Sequence, residues 1–224
     1  PHFSCNGCSM PINTNYFNPE KIAAEDINNL KSELGFKGDE TILIYIGRLV
    51  KDKGVNELIT TFDAISTTHK NCRLLLLGYY EQDRDPLEDK TIQLIKQNPS
   101  IIERGFIKDI RPYLLLSSFL VFPSYREGFP NVVLQAAAMQ LPAIVTDING
   151  CNEIIQNNYN GLIIPKKNPE ALKKAILYLI DNKTVLENMK LSTRNFIQEN
   201  FDREIIWNEL LNLYTSEMNR NHEK

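Results

Sequence analysis

Residues 41–47 read Thr41-Ile42-Leu43-Ile44-Tyr45-Ile46-Gly47, an apolar run that ends at a glycine. In the segment that follows, Val55–His69, the residues Leu58, Phe62 and Ile65 recur at the spacing of an amphipathic helix. A short apolar run bounded by glycine is typical of a strand that is covered on both faces. The two segments therefore predict a buried strand and then a helix.

The same alternation continues along the chain. The predicted strands are Thr41–Gly47, Cys72–Gly78, Ile101–Gly105, Phe119–Pro123, Ala143–Asp147 and Leu162–Pro165. The predicted helices between them are Val55–His69, Leu87–Gln97, Ile110–Leu116, Asn131–Met139 and Asn152–Gln156. Apolar strands alternating with helices predict an α/β fold, a single domain with a doubly wound parallel sheet. Ligands of such folds bind at the carboxyl ends of the strands, so the loops there are the candidate functional segments.

After the last predicted strand the chain becomes helical. Asn168 suits the N-cap of a helix over Pro169–Asp181, because proline is favoured at the first helical position. Further helices are predicted over Pro19–Leu34, Thr184–Asn200 and Arg203–Met218, where apolar residues recur at helical spacing. The tail Asn219–Lys224 is expected to fray.

Composition narrows the class of protein. The 224 residues include 25 Lys and Arg against 28 Asp and Glu, a formal charge of −3, whereas generic nucleic-acid binders are basic, so no nucleic-acid partner is expected. Apolar runs fall short of the roughly 20 residues that span a bilayer, and the start carries no secretory signal, which favours the cytoplasm. Because the sequence begins Pro1-His2-Phe3 without Met, we expect a piece of a longer protein.

The cysteines also favour a reducing compartment. Cys5, Cys8, Cys72 and Cys151 are too few and too irregularly spaced for a disulfide framework. Cys5 and Cys8 form half of a zinc site, but no second pair or suitably spaced histidine completes it. Free thiols and no bound metal are therefore expected.

Two loops at the predicted sheet edge carry charged residues. The sequence contains no G-x-G, Walker or G-x-S-x-G motif, which argues against nicotinamide, Walker-type nucleotide and hydrolase sites. Arg48 and Lys53 precede a predicted helix and could hold a phosphate, although a solvated basic turn is the alternative. Glu127 precedes another helix and could equally be its cap, while Gln135 within that helix could simply face solvent.

Four segments carry a resemblance to a known family. Pro123–Pro142, which contains Ser-Tyr-Arg-Glu-Gly-Phe-Pro-Asn, closely resembles the donor-site segment of family 4 glycosyltransferases, retaining enzymes of the GT-B fold. Gly47–Gly54 is similar to their phosphate-binding loop, and Gly105–Asp109 to their base-binding turn. Thr146–Glu153, continuing through Asn160-Gly161, resembles the segments that follow, and the likeness extends over about Ser9–Asp181.

The resemblance implies the second half of a two-domain enzyme. Residues 1–18 would be the hinge from an N-terminal domain that this chain does not include, residues 19–182 the Rossmann-like nucleotide-sugar-binding domain, and residues 183–224 helices that cross back. The other domain would hold a glycan or lipid-linked acceptor, so this chain alone is expected to be inactive. Peripheral association of the intact enzyme with the inner face of the cell membrane stays open.

Family roles transfer by position onto specific residues. Arg48 and Lys53 would neutralise the diphosphate of a nucleotide sugar, expected to be a UDP-sugar, without a metal ion or other cofactor, and Glu127 would bind hydroxyls of the sugar. These three are the expected catalytic residues. The full set expected to bind the donor is Gly47, Arg48, Lys53, Ile107, Glu127, Gly128, Phe129, Pro130, Asn131, Val132 and Gln135.

One position departs from the family pattern and leaves alternatives open. Gln135 stands where the family has a carboxylate for the ribose hydroxyls, and a neutral amide is a weaker acceptor. The chain could therefore be a nucleotide-binding or interaction module without transferase activity, or a sugar-nucleotide epimerase of the same architecture, whose motif spacing fits less well. Asp83-Arg84-Asp85 could bind a metal-bound nucleotide sugar, as in the other large glycosyltransferase fold, or be a solvated turn.

Overall fold

The computed structural model describes residues 11–81 and 83–222, so Cys5, Cys8 and the first part of the predicted hinge lie outside the described residues. The strands are β1 (Thr41–Ile46), β2 (Cys72–Leu77), β3 (Ile101–Glu103), β4 (Phe119–Phe122), β5 (Ala143–Thr146) and β6 (Gly161–Ile164). The helices are α1 (Ala24–Glu33), α2 (Val55–Thr68), α3 (Asp89–Gln97), α4 (Arg111–Leu116), α5 (Asn131–Ala138), α6 (Cys151–Ile154), α7 (Pro169–Asp181), α8 (Lys183–Phe201) and α9 (Arg203–His222). Short 3₁₀ turns cover Pro19–Lys21 and Lys51–Lys53.

The strands form one parallel sheet in the order β3-β2-β1-β4-β5-β6. The predicted α/β class, with a doubly wound parallel sheet, is thus confirmed. The chain moves outward in one direction from β1 to β3 and then returns to place β4 on the other side of β1. The connections after β1 and β4 therefore lead to helices on opposite faces of the sheet, and the sheet edge at this point is where folds of this kind bind ligands.

The core lies on both faces of the sheet. In β1, Ile42 and Ile44 belong to a buried cluster with residues of α5, whereas Leu43 and Tyr45 belong to a second cluster with residues of α2 and α7. Successive side chains of a strand point to opposite faces, so a strand with a helical layer on each side must be apolar throughout. This requirement explains the continuous apolar run from which the strand was predicted.

The predicted helix over Pro19–Leu34 is wrong in its first part. A 3₁₀ turn covers Pro19–Lys21, and the Asn18 side chain accepts a hydrogen bond from the backbone N–H of Glu20. The chain is then extended at Ile22, and α1 begins two residues later. The break allows Ile22 to pack against the core, and this burial overrides local helical propensity.

The C-terminal helices differ from the prediction at the chain's end. The tail expected to fray is helical as far as His222. Along α9 the side chains of Trp207, Leu211, Tyr214 and Met218 are exposed at helical spacing. Among the described residues, no helix has both the length and the apolarity that a bilayer crossing requires.

The folded chain should lose stability at alkaline pH because it buries two thiols. Burial raises the pKa of Cys72 from 9.0 to about 11, and burial together with the nearby Glu127 raises that of Cys151 to about 12. Because both pKa values are higher in the folded chain, the stabilisation is complete below pH 9 and is lost as the pH rises toward 12. We expect the two thiols to lower the free energy of unfolding by about 3 kcal/mol between pH 8 and pH 10.

Urea unfolding at the two pH values measures this difference. The matched control is the double variant Cys72→Ala/Cys151→Ala, which should lose less stability over the same interval because its two buried thiols are gone, while Tyr45 and Tyr80, whose pKa values burial also raises, still contribute. An equal loss in the wild type and the double variant would show that other groups control the alkaline transition.

Candidate functional site

The loops that leave β1 and β4 touch at the carboxyl edge of the sheet. The backbone N–H of Tyr125 donates to the carbonyl of Asp52 at 2.8 Å. Gly54 ends the first loop with a φ of +68°, and a Cβ at this position would lie 2.2 Å from the carbonyl oxygen of Pro123. Only glycine satisfies both conditions, since other residues disfavour this backbone conformation and the methyl group would overlap the neighbouring loop. The glycine therefore lets the two predicted functional loops pack together.

This packing brings two predicted site residues into direct contact. Lys53 Nζ donates to Glu127 Oε1 at 2.6 Å, and the Ser124 hydroxyl donates to the same oxygen at 2.8 Å. The Lys53 and Glu127 side chains are only 14% and 16% exposed. The cation expected at the diphosphate and the carboxylate expected at the sugar are thus adjacent, as a binding site that spans both groups requires.

Arg48 has a partner that the sequence analysis missed. Its Nη1 donates to Oε2 of Glu81, and this hydrogen bond raises the pKa of the guanidinium further. The Arg48 carbonyl accepts a hydrogen bond from the buried Tyr45 hydroxyl at 2.7 Å, which fixes the start of the loop. Glu81 follows β2, the neighbour of β1, so its position after a strand was the available signal.

A cavity of 380 Å³ opens beside Arg48. Gly47, Arg48, Ile107 and Gln135 line it, so the structure brings together predicted residues from two separate loops and a helix. Phe106 of the predicted base-binding turn also lines it, together with Tyr16, Phe17 and Tyr79, which the sequence did not indicate. The cavity is largely apolar with a few polar groups at its edge, which is the usual character of a pocket for a small organic ligand.

The predicted segment from Gly128 to Val132 leads into the N-terminus of α5. The N-cap residue, Pro130, supplies no side-chain hydrogen bond to the helix, so the first backbone N–H groups stay available to an anion. A Cβ on Gly150 would lie 2.7 Å from the Gly128 carbonyl oxygen, so the loop after β5 packs closely against this segment. Phe129 packs beside Phe201, with ring centroids 6.0 Å apart.

The Asp83-Arg84-Asp85 segment is hydrogen-bonded to the loop after β1, Gly47–Gly54. Asp85 Oδ2 accepts a hydrogen bond from the backbone N–H of Asp52 at 2.6 Å, and the Asp85 carbonyl accepts one from Lys51 at 3.2 Å. Within residues 11–81 and 83–222, no three or more His, Cys, Asp or Glu side chains form a cluster that could hold a metal ion. The second aspartate of the motif thus contacts the backbone of the loop that carries Arg48 and Lys53.

Comparison with known proteins assigns the family. The family model described as "Glycosyl transferases group 1" matches residues 26–196, which include both loops and most of the residues that line the cavity. The chain belongs to this family. The resemblance to glycosyltransferases of the GT-B fold is therefore confirmed, whereas the role of each predicted site residue stays a prediction.

Individual relatives of this family extend beyond the present chain. The capsular polysaccharide biosynthesis glycosyltransferase CapM of Staphylococcus aureus is 31% identical over 80% of this chain and 47% of CapM. An N,N'-diacetylbacillosaminyl-diphospho-undecaprenol alpha-1,3-N-acetylgalactosaminyltransferase of Campylobacter jejuni is 30% identical over 92% of this chain and 52% of the enzyme. The chain thus spans about half the length of the curated relatives that it matches.

Solved structures share the fold. The structure of Anabaena HepE in complex with UDP superimposes with a TM-score of 0.81 at 18% sequence identity, covering 92% of this chain and 56% of HepE. At this identity the likeness extends to the fold alone. The fold of the present chain therefore occurs in HepE as part of a longer chain.

Proposed function

We propose that this chain is the donor-binding half of a retaining glycosyltransferase. The intact enzyme would transfer a hexose or N-acetylhexosamine from a UDP-sugar to a glycan or lipid-linked acceptor in surface polysaccharide biosynthesis. The observation that carries the proposal is the cavity beside Arg48, which lies at the same sheet edge as the contact between Lys53 and Glu127. Retention of the anomeric configuration enters the proposal from the family resemblance.

The proposed chemistry is stabilisation of the departing nucleoside diphosphate. Arg48, Lys53 and the free N–H groups at the start of α5 would take up the negative charge that develops on the diphosphate as the glycosidic bond breaks. These groups would do so without a metal ion. Glu127 would accept hydrogen bonds from sugar hydroxyls and fix the orientation of the sugar.

The remainder of the donor would lie in the cavity. Backbone groups of Ile107 would read the edge of the base, and Gln135 would bind the ribose hydroxyls. Aromatic residues in the lining, including Phe106 and Tyr79, offer surfaces for the flat base. The HepE complex with UDP, on the same fold, makes UDP the first nucleotide to test.

The acceptor is inferred from the relatives. CapM is named for capsular polysaccharide synthesis, and the Campylobacter enzyme for an undecaprenol-linked acceptor and an N-acetylhexosamine. A lipid-linked acceptor would bring the intact enzyme to the membrane surface, which is the basis for proposing peripheral association.

The acceptor would bind a preceding domain that belongs to the intact protein. Ile12 N donates to the Phe201 carbonyl at 3.0 Å, and Arg203 N donates to the Ile12 carbonyl at 2.9 Å. The segment proposed as the hinge therefore runs beside the start of α9, the helix proposed to cross back. Two connections at one place are what a hinge between domains requires, and they support a hinge where Ile12 meets the start of α9, whereas the proposed division at residues 18 and 182 stays a prediction.

Nucleotide binding by this chain tests the proposal. UDP, UDP-N-acetylglucosamine, GDP, ADP and CMP are titrated calorimetrically in EDTA and again with Mn²⁺. We expect the affinity of UDP, and likewise that of the UDP-sugar, to be the same in EDTA as with Mn²⁺. The other nucleotides should bind more weakly than UDP. A requirement for Mn²⁺, or a lack of binding by every nucleotide, would contradict the proposed donor site.

Replacing Gln135 by glutamate should strengthen UDP binding. The carboxylate would exchange a neutral hydrogen bond to ribose for a charge-assisted one, worth about 1–2 kcal/mol. We expect the dissociation constant of UDP to fall about 5- to 30-fold. The variant Gln140→Glu makes the same chemical change at an exposed position after α5 and should leave UDP affinity unchanged.

Titrations of the wild type and Gln135→Glu also distinguish a donor-binding domain of a glycosyltransferase from an interaction module without transferase activity. Weak UDP binding by the wild type that Gln135→Glu strengthens indicates a donor site that is impaired by the glutamine at position 135. An unchanged UDP affinity in Gln135→Glu would contradict the assignment of Gln135 to the ribose. If neither protein bound UDP, the interaction module without transferase activity would be the better interpretation.

A further inference from the structure

Each of the two cations proposed to bind the diphosphate forms an ion pair with a carboxylate. Lys53 contacts Glu127, which the proposed function already assigns to the sugar. Arg48 contacts Glu81, for which the proposed function has no role. Arg48 lines the cavity and its Nη1 already donates to Glu81, so a phosphate that enters the cavity has to compete with this carboxylate for the guanidinium.

The backbone holds Arg48 and Glu81 next to each other. Gly47 N donates to the Leu77 carbonyl and Leu49 N to the Tyr79 carbonyl, both at 2.9 Å, so the segments after β1 and β2 run side by side. A Cβ on Gly78 would lie 1.8 Å from the Gly47 carbonyl oxygen, which shows how closely these segments pack. Release of Arg48 from Glu81 therefore requires a side-chain rotation, since the two backbones cannot separate without breaking this contact.

Solvent exposure lowers the free-energy cost of rotating Arg48 away from Glu81. The Arg48 side chain is 40% exposed and that of Glu81 is 24% exposed, so water can reach both groups. A solvent-exposed ion pair typically raises the equilibrium constant for its own formation by no more than about fivefold. A multiply charged phosphate can therefore displace the carboxylate, and a neutral nucleoside cannot.

Other charges around the cavity do not change this balance. Asp109 also lines the cavity, but its carboxylate is held by the Arg111 guanidinium at 2.6 Å. Lys108 is an exposed lining residue whose charge adds to that of Arg48. Glu81 is thus the carboxylate that both contacts a predicted phosphate-binding cation and lacks a proposed role with the donor.

We propose that Glu81 competes with the diphosphate for Arg48 and thereby favours release of the nucleoside diphosphate product over loss of the nucleotide-sugar donor. The inference rests on the proposed function. A free nucleoside diphosphate carries one more negative charge than the sugar-linked form, because its terminal phosphate is no longer esterified. Glu81 repels the product more than the donor, by about threefold in affinity for one extra charge at 6 Å in a water-like dielectric.

Calorimetric titration of Glu81→Gln tests the inference at pH 8 and low salt. UDP, UDP-N-acetylglucosamine and uridine are compared between the variant and the wild type. We expect UDP to bind about five- to tenfold more tightly to the variant, UDP-N-acetylglucosamine about two- to threefold more tightly, and uridine with unchanged affinity. Asp39→Asn removes the same charge at an exposed position before β1, at the opposite edge of the sheet, and should change none of these affinities by more than a factor of about 1.5.

The outcomes separate this inference from the proposed function. If the wild type binds UDP but Glu81→Gln binds it equally or more weakly, Glu81 does not compete for Arg48 and only the inference fails. Equal strengthening for UDP and UDP-N-acetylglucosamine would also overturn it, since release would then not be favoured. If neither protein binds any nucleotide, the proposed function fails as well. Glu81→Ala provides a second variant, and thermal unfolding confirms that each variant is folded.

Discussion

Replacing Gly54 by alanine should destabilise the folded chain by about 3–5 kcal/mol. The first contribution is backbone strain, because a non-glycine residue at a φ of +68° costs about 1–2 kcal/mol. The second is a steric clash, because the new methyl group would lie 2.2 Å from the Pro123 carbonyl oxygen. Since that oxygen belongs to the backbone of the neighbouring loop, the two loops must move apart to relieve the overlap.

Gly105→Ala isolates the first contribution. Gly105 has a similar φ of +61°, but a Cβ there would have no neighbour within 4 Å. Its substitution should therefore cost only the strain of about 1–2 kcal/mol. Urea unfolding at 25 °C measures both free energies. Equal destabilisation by the two substitutions would contradict the close packing of the loops after β1 and β4.

The order of strands and helices could be predicted because the sheet is covered on both faces. A strand in this position has to be apolar at every residue, as β1 is from Ile42 to Tyr45, and glycines or polar residues mark its ends. The helix over Val55–Thr68 was predictable for the related reason that its buried face repeats with helical period. The break at Ile22 was not, since it depends on packing against residues distant in sequence.

The charged pairs of the site could not be predicted in the same way. Arg48 and Glu81 are 33 residues apart, and their contact depends on β1 and β2 being neighbours in the sheet. Lys53 and Glu127 are 74 residues apart and meet only because β4 lies on the other side of β1. Local sequence indicates that each residue follows a strand, but it does not contain the order of strands across the sheet. The resemblance of the motifs identified the individual residues, whereas their contacts became visible only from the order of strands in the sheet.

Replacing Lys53 by glutamine should weaken UDP binding about 10- to 100-fold, the effect of removing a charge-assisted hydrogen bond worth about 1.5–3 kcal/mol. Uridine, which has no phosphate, should bind the variant and the wild type alike. Lys51→Gln is the matched control, because Lys51 belongs to the same 3₁₀ turn but is exposed. It should change UDP affinity by less than about twofold, as expected for a screened surface charge. Calorimetric titration in EDTA provides the dissociation constants.

A loss of affinity in Lys53→Gln has two physical explanations, because the substitution also uncovers the charge of Glu127. The lysine could contact the phosphate directly, or it could only shield the ligand from the carboxylate 2.6 Å away. The double variant Lys53→Gln/Glu127→Gln distinguishes them, since it removes the cation and the carboxylate together. Direct contact predicts that UDP still binds weakly to the double variant. Recovery of wild-type affinity would mean that Lys53 neutralises Glu127 and does not itself hold the diphosphate.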